Sequence, residues 1–287
     1  MMLFAIAAEE AKLEVVALMS QWTPQAAHPS VVTREHWISN QVYRWMPSVD
    51  VVHINPGIFA YIYLLGLPAV RHFGMLMGPF GAGLNAPPSN EDIARVAVGV
   101  LAEPANHIGK SYRPTGPALV SPQDIAGILG HVLGRKVSYK NVPFKMFSKA
   151  AVAQGYSLLE IAHLRYYAAD IRDGAFGAGG PTDHVIEVTG RAPEDFESIA
   201  RRYIDNPSLI HPKLKIGSKV GAIGSLMKML ATKAPDLEAW ERARGYPLLN
   251  NPVRSQDSAE WRATAERQQL NLLPNAEAAA PVLQVIA

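Results

Sequence analysis

Short apolar runs alternate with amphipathic segments through the first part of the chain. Residues 13–20 and 51–54 are runs of strand length, and each is followed by a polar or proline-containing loop. The segment between them, residues 33–45, has the apolar spacing of a surface helix. Strand, helix and strand in this order are typical of a parallel sheet with helices on both faces.

Capping and turn signals predict the remaining elements. Ser121, Pro122 and Asp124 form a helix start, with serine as the cap, proline at the first position and an acid that reaches back. Short strands are predicted at 75–77, 110–113 and 136–140, and helices at 3–13, 60–72, 91–97, 144–173, 236–243 and 259–269. The chain is therefore predicted to be an α/β protein.

The other elements can be arranged around the apolar run 51–54 and the loop after it. The run ends at Asn55, Pro56 and Gly57, and Phe59 follows two residues later. In open α/β sheets, ligands bind in the crevice beyond the carboxyl ends of the strands. The loops after the first two predicted strands are therefore candidate walls of a ligand site.

Composition excludes several classes of protein. The 287 residues are 48% hydrophobic and carry a net charge of +2, which fits a folded domain and gives no reason to expect nucleic acid as a partner. The absence of cysteine excludes disulfides, a thiol nucleophile and cysteine-ligated metals. No apolar run reaches the roughly 18–20 residues of a membrane-spanning helix. We expect a cytoplasmic protein that does not contact a membrane.

Five segments follow one another in a specific order after residue 90. They are residues 90–97, 107–117, 124–135, 137–143 and 188–196. Their ordered succession resembles the NmrA-like family, atypical relatives of the short-chain dehydrogenases. The resemblance covers roughly residues 5–205.

The resemblance implies an NAD(P)-binding protein with a Rossmann-like, doubly wound parallel sheet. It implies a partial Rossmann-like domain at residues 1–115, a smaller α-rich lobe at 116–205, and a helical extension at 206–287 with a loose tail. Family members begin with a strand and a glycine-rich turn that holds the dinucleotide pyrophosphate at a helix start. This sequence lacks that beginning, so we expect an incomplete sheet and weak or absent NAD(P) binding.

The resemblance also implies a place for the nicotinamide end of NAD(P). We expect it near Ser20, Pro56, Gly57 and Phe59, because these residues follow the ends of two successive strands.

The catalytic residues of the short-chain dehydrogenases are not matched in this sequence. Those enzymes use a tyrosine followed four residues later by a lysine, and no tyrosine here has a lysine at that spacing. Counting back from Pro56, the matching positions are about Thr33 and Trp37, which cannot serve as the usual acid. His36 is the acid/base candidate in that helix, although a surface or helix-start role is the favoured alternative. We therefore predict no ordinary short-chain-dehydrogenase activity.

Three functions remain open from the sequence. The resemblance favours a protein that binds NAD(P) without turning it over, as a regulator or sensor. The second hypothesis is an NAD(P)H-dependent reductase with an atypical active site. The third is an interaction module that has lost the cofactor.

The glycine clusters and the histidines are predicted to have structural roles rather than catalytic or metal-binding ones. Residues 78–83 are predicted to form a turn, residues 174–180 a flexible connection, and residues 217–224 a site of close helix packing. The nine histidines include no His-x-x-x-His pair, so no metal site is predicted. His53 is predicted to be a packed core residue.

Two surfaces are relevant to partners. Residues 220–233 form a basic amphipathic helix, which could lie on a membrane, although packing on its own domain is favoured. The strand at 13–19 is predicted to have an open apolar edge. Such an edge favours a protein partner or self-association.

Overall fold

The computed structural model describes residues 1–209, 217–247 and 249–267. Its strands are β1 Val15–Met19, β2 Asp50–Ile54, β3 Met75–Gly78, β4 Ser111–Tyr112 and β5 Ser138–Asn141. Its helices are α1 Met2–Glu10, α2 Val31–Arg44, α3 Tyr61–Leu64, α4 Leu67–Phe73, α5 Asn90–Ala102, α6 Pro122–Val132, α7 Phe144–Gln154, α8 Leu158–Arg172, α9 His184–Thr189, α10 Phe196–Asp205, α11 Lys219–Ala231, α12 Leu237–Ala243 and α13 Ala259–Arg267. The predicted α/β class is confirmed. The last two residues predicted for the final helix lie outside the described residues.

A three-stranded parallel sheet has the order β1, β2, β4. Its register pairs Val15 with Asp50 and Met19 with Ile54. Within the described ranges, the outer edge of β1 has no partner strand. Met19, at the end of that edge strand, is 43% exposed.

Helices cover both faces of this sheet. Successive residues of a strand point to opposite faces, so each strand contributes to two cores. One face packs on α1 and α2 and contains Ala5, Ala8, Val16, Leu18, Tyr43 and Val51. The other packs on α5 and α9 and contains Val52, Ile54, Ile93, Val96, Val100 and Val185. Burial on both faces explains why the two strand sequences are almost continuously apolar.

A second parallel pair, β3 and β5, belongs to a separate core. Its register runs from Met75 opposite Ser138 to Gly78 opposite Asn141. The core around it joins α3, α4, α6, α8 and α10, with Leu64, Leu67, Leu76, Ile125, Ile171 and Ile199 among its buried residues. This pairing links residues on the two sides of the predicted boundary at 115.

Serine caps begin several helices, as the sequence predicts for α6. The Asp124 N–H donates to Ser121 Oγ at 3.2 Å, and the Ser121 N–H donates to the Asp124 carboxylate at 2.9 Å. At the start of α5, Ser89 is the cap and accepts the Asp92 N–H at 3.0 Å. The buried Asp92 carboxylate accepts the Glu194 N–H at 2.8 Å and ties α5 to the segment before α10.

The predictions for two of the glycine clusters have different outcomes. Residues 78–83 form a turn, and a β-carbon on Gly83 would lie 1.8 Å from the Ile171 carbonyl oxygen. The end of α8 therefore approaches this backbone directly. In residues 217–224 the glycines do not make the predicted close packing, because a β-carbon on Gly217 or Gly224 would meet nothing within 4 Å.

The amphipathic helix α11 rests on α7 and α4, in agreement with the favoured prediction that it packs on its own domain. Ala222 and Met229 are buried against the domain. Four other apolar residues of the helix are exposed: Val220, Ile223, Met227 and Leu230. Among the described residues, no helix has the length and hydropathy needed to cross a membrane.

Candidate functional site

Backbone hydrogen bonds hold the ends of β1 and β2 together. The Ser20 N–H donates to the Ile54 carbonyl at 2.8 Å, and the Trp22 N–H donates to the Pro56 carbonyl at 3.0 Å. The Asn55 N–H donates to the Tyr112 carbonyl of β4 at 2.7 Å. Three strand ends therefore meet at one edge of the sheet, and Ser20 and Pro56 lie there as the sequence predicts.

Gly57 and Phe59 continue from this edge in different environments. A β-carbon on Gly57 would lie 3.3 Å from the Phe176 ring and 3.9 Å from the Arg113 guanidinium. Phe59 is half-buried against the core under α5 and meets Tyr61 edge-on at 5.8 Å between ring centroids. Gly57 therefore faces a charged neighbour, whereas Phe59 packs largely on the sheet.

Buried polar atoms without hydrogen-bond partners cluster at the strand ends. Ser20 and Asn55 are 4% and 2% exposed, and among the described residues neither Ser20 Oγ nor Asn55 Oδ1 has a hydrogen-bond partner. Gln21 Oε1 is also buried and has no hydrogen-bond partner among these residues. A buried polar group without a partner is uncommon and unfavourable in a folded protein. These atoms are therefore available to a ligand.

The indole of Trp22 fills the space next to these groups. Its side chain is fully buried, and its N–H donates to the Ala175 carbonyl at 2.8 Å. The guanidinium carbon of Arg113 lies 3.5 Å from the centroid of the indole ring. Trp261 from α13 meets the same ring edge-on at 5.6 Å. The Trp22 side chain thus covers the strand ends, and its contacts with Ala175, Arg113 and Trp261 hold it in place.

Arg113 is a charged residue at this edge of the sheet, and it was not among the site residues predicted from the sequence. It is 1% exposed, and its guanidinium donates to the carbonyls of Phe176, at 2.7 Å, and Ala178. Burial lowers the pKa of Arg113 to about 9, so the group remains mainly charged at neutral pH. The signal was present in the sequence, because Arg113 follows β4 as Ser20 follows β1.

The segment 174–180 makes specific contacts rather than serving as a simple connection. Its carbonyl oxygens accept the hydrogen bonds from Arg113 and from the Trp22 indole. Directly after it, the Thr182 hydroxyl donates to the Arg113 carbonyl at 2.5 Å. The glycine-rich composition lets this backbone wrap closely around a buried guanidinium.

A buried polar network lies beside α2 and α8. His28 Nδ1 accepts the Ser30 N–H at 3.1 Å, so His28 Nε2 carries the proton and donates to Asp170 Oδ2 at 3.2 Å. His28 and Asp170 are fully buried. Ser30 Oγ lies 3.0 Å from His163 Nδ1 and links the network to α8. The sequence pattern gave no reason to join these residues, because Asp170 is 142 positions from His28.

His36, the acid/base candidate, lies in an environment that disfavours its imidazolium form. Burial lowers its pKa. Burial, together with His36 and His28 nearby, lowers the pKa of His163 to about 3. A neutral imidazole is a weak proton donor, so His36 is poorly suited to act as a general acid. Across the described residues, no three histidines or carboxylates are grouped as metal ligands would be.

The C-terminal part covers the loop between β1 and α2. The Val253 N–H donates to the Ala27 carbonyl at 2.9 Å, and Ser255 Oγ donates to the Thr23 carbonyl at 2.7 Å. Arg254 forms ion pairs with Asp173 and, at 3.9 Å, with Asp170. We call residues 249–261 the C-terminal cover.

Two surface cavities lie beside α6 and α10, apart from the strand ends. One, of about 450 Å³, is lined by Arg71, Val132, Leu133, Arg135, Arg201, Ile204 and Asp205. The other, of about 380 Å³, lies between the loop at 116–120 and the start of α10. Neither includes a residue predicted to bind the nicotinamide.

Comparison with known proteins identifies relatives with oxidoreductase activities. No family model matches the chain. It is 29% identical over 180 residues to an NAD(P)H azoreductase from Xenophilus azovorans, a match that covers 62% of each chain. It is 27% identical over 192 residues to a (4-alkanoyl-5-oxo-2,5-dihydrofuran-3-yl)methyl phosphate reductase from Streptomyces griseus, covering 67% of this chain and 66% of that protein. The chain thus spans less than two thirds of the length of these curated relatives.

Solved structures with the same fold include both enzymes and a regulator. An NADPH-dependent quinone oxidoreductase from Escherichia coli, complexed with NADPH, has a TM-score of 0.61, with 21% identity and 70% and 69% of the two chains covered. The negative transcriptional regulator NmrA, in complex with NAD, has a TM-score of 0.53, with 16% identity and 74% and 71% covered. The resemblance predicted from the ordered segments is confirmed at the level of the fold. The chain shares its Rossmann-like fold with these two proteins.

Proposed function

We propose that this protein binds the nicotinamide end of NAD(P)H beyond β1 and β2 and acts as a reductase of electron-poor organic acceptors. The observation that carries the proposal is the set of unpartnered atoms at adjacent strand ends: Ser20 Oγ, Gln21 Oε1 and Asn55 Oδ1. A nicotinamide nucleotide has a carboxamide N–H group and ribose hydroxyls, which are suitable donors for these acceptors. The two curated relatives, which are reductases, support the same class of activity.

Binding requires the region over the strand ends to open. Ser20 and Asn55 are only 4% and 2% exposed, and Trp22 is fully buried beside them. The C-terminal cover holds the loop that carries Trp22 through Val253 and Ser255. Part of the binding free energy is spent on this opening, so we expect modest affinity.

The protonation states favour acceptors that need no strong acid. When bound, the reduced nicotinamide supplies a hydride, that is, two electrons and one hydrogen nucleus. His36 and His163 have lowered pKa values, which disfavours the imidazolium form that would supply a proton at neutral pH. A quinone that accepts a hydride becomes a resonance-stabilised phenolate, which water can protonate afterwards. A simple ketone becomes a strongly basic alkoxide and needs an acid in the site.

A second candidate function is a sensor that binds the dinucleotide without turning it over. The buried strand ends and the neutral histidines favour it, because both restrict access and proton transfer.

The two functions are separated by titration and turnover. We expect calorimetry to detect NADPH or NADH binding, and quinones or azo compounds to accelerate NAD(P)H oxidation. Asn55→Ala should weaken binding about tenfold or less, the effect of one lost hydrogen bond. The exposed Asn106→Ala, outside the strand ends and the C-terminal cover, is the matched control. Binding without oxidation supports the sensor, and absence of binding contradicts both proposals.

A further inference from the structure

Helix α11 presents an apolar stripe to solvent. Val220 is 78% exposed, Ile223 46%, Met227 61% and Leu230 54%. At a helical period of 3.6 residues, these four positions fall within an arc of about 80°. The opposite side packs through Ala222 and Met229. The helix is therefore anchored by one side and carries an unpartnered apolar side outward.

The charged residues of α11 and of the two helices that it contacts are all cations. α11 contacts α7 and α4. Together these three helices carry the cations Arg71, Lys145, Lys149, Lys219 and Lys228, with His72 and no acidic residue. The wider segment 206–235 contains five lysines and neither aspartate nor glutamate.

Hydrogen bonds hold two lysines close to the stripe. Lys149 Nζ donates to the Leu230 carbonyl at 2.7 Å, and Lys228 Nζ donates to the Ala153 carbonyl at 2.9 Å. Both acceptors are neutral carbonyl groups. Among the described residues, neither ammonium group forms an ion pair with a carboxylate, so both border the apolar stripe as cations.

We propose that the face formed by α4, α7 and α11, here called the basic face, docks on an anionic lipid bilayer. The stripe enters the boundary between headgroups and acyl chains, while the cations bind the headgroup phosphates and carboxylates. An amphipathic helix with large apolar residues and lysines has the chemistry of peripheral membrane binding. This inference is independent of the proposed reductase function.

Charge argues against a second copy of the chain as the occupant. Pairing two basic faces brings together two sets of five cations with no acidic residue on α4, α7 or α11 of either copy. Such like-charge juxtaposition disfavours association. A bilayer containing anionic lipids offers both the apolar phase and the opposite charge.

The test is co-sedimentation of the full chain with vesicles. We expect binding to vesicles of phosphatidylcholine plus phosphatidylserine, little binding to phosphatidylcholine alone, and release by added salt. The double variant Ile223→Ser with Met227→Ser should bind at least about tenfold more weakly, because it removes half of the stripe. Lys219→Gln should weaken binding about fivefold, the effect of one lost interfacial lysine.

Matched controls separate docking through the basic face from non-specific binding to vesicles. The double variant Val98→Ser with Leu101→Ser removes two apolar side chains that are 66% and 54% exposed on α5. Lys12→Gln removes an exposed lysine outside the basic face. Both should bind like the unaltered chain, with unchanged thermal unfolding. Absence of binding to anionic vesicles, or equal loss in the controls, overturns the proposal. Self-association abolished by Ile223→Ser with Met227→Ser, without vesicle binding, assigns the face to a second copy instead.

Discussion

Ser20→Ala is expected to change stability and dinucleotide binding in opposite directions. In the free protein, Ser20 Oγ is buried without a hydrogen-bond partner, whereas the Ser20 backbone N–H is bonded to Ile54. An unsatisfied buried polar group costs about 1–3 kcal/mol. Alanine keeps the backbone bond and removes the hydroxyl, so the free energy of unfolding should rise by about 1 kcal/mol.

The bound protein should respond with the opposite sign. If Ser20 Oγ pairs with the nicotinamide nucleotide, its removal loses one hydrogen bond of about 0.5–1.5 kcal/mol, which raises the dissociation constant about two- to tenfold. Urea unfolding with and without saturating NADPH measures both effects on one variant. Ser208→Ala, at an exposed position, is the matched control.

A purely structural serine gives a different pattern. It would make Ser20→Ala less stable with and without NADPH, and by the same amount. Equal stabilisation of the variant and the unaltered chain by NADPH would refute the placement of the nicotinamide at Ser20. A less stable free variant would refute the argument from the unpartnered hydroxyl.

Three further predictions concern pH, the C-terminal cover and the sheet edge. Burial, with Arg44 nearby, lowers the pKa of His53 to about 4, so stability should fall as pH drops from about 6.5 to 4. His53→Leu should remove up to about 1.4 kcal/mol per pH unit of that dependence in acid unfolding curves; an unchanged slope contradicts this. Arg254→Gln removes the ion pairs with Asp170 and Asp173. It should speed NADPH association severalfold in stopped-flow fluorescence, and an unchanged rate means that the cover does not control entry. Met19→Lys should reduce any self-association through the open edge of β1 in sedimentation velocity, because an edge charge opposes strand pairing.

The positions of the main elements were predictable because they depend on local sequence. Apolar runs of strand length marked β1 and β2, and the box of Ser121 and Asp124 marked the start of α6. The meeting of Ser20 and Pro56 was also predictable, because parallel neighbours bring their carboxyl ends to one edge. These features need only periodicity, capping and a parallel arrangement.

Residues joined across long sequence separations could not be predicted. Trp22 and Arg113 form one stacked pair, and Trp261 packs on the same indole. His28 meets Asp170 only because α2 and α8 lie side by side. No period or motif connects such positions, and their pKa values depend on burial that exists only in the folded chain.

The surface of α11 shows most clearly the difference between what the local sequence determines and what tertiary packing decides. The sequence by itself determined an amphipathic, lysine-bearing helix without acids at residues 219–231. It could not determine which side faces the protein, because Ala222 and Met229 form a second apolar side next to Ile223 and Met227. Packing against α7 and α4 selected the side with the small Ala222, which lets the helices approach closely. The side with Ile223 and Met227 remains in solvent, because a helix that packs on its domain through one side turns the other side outward.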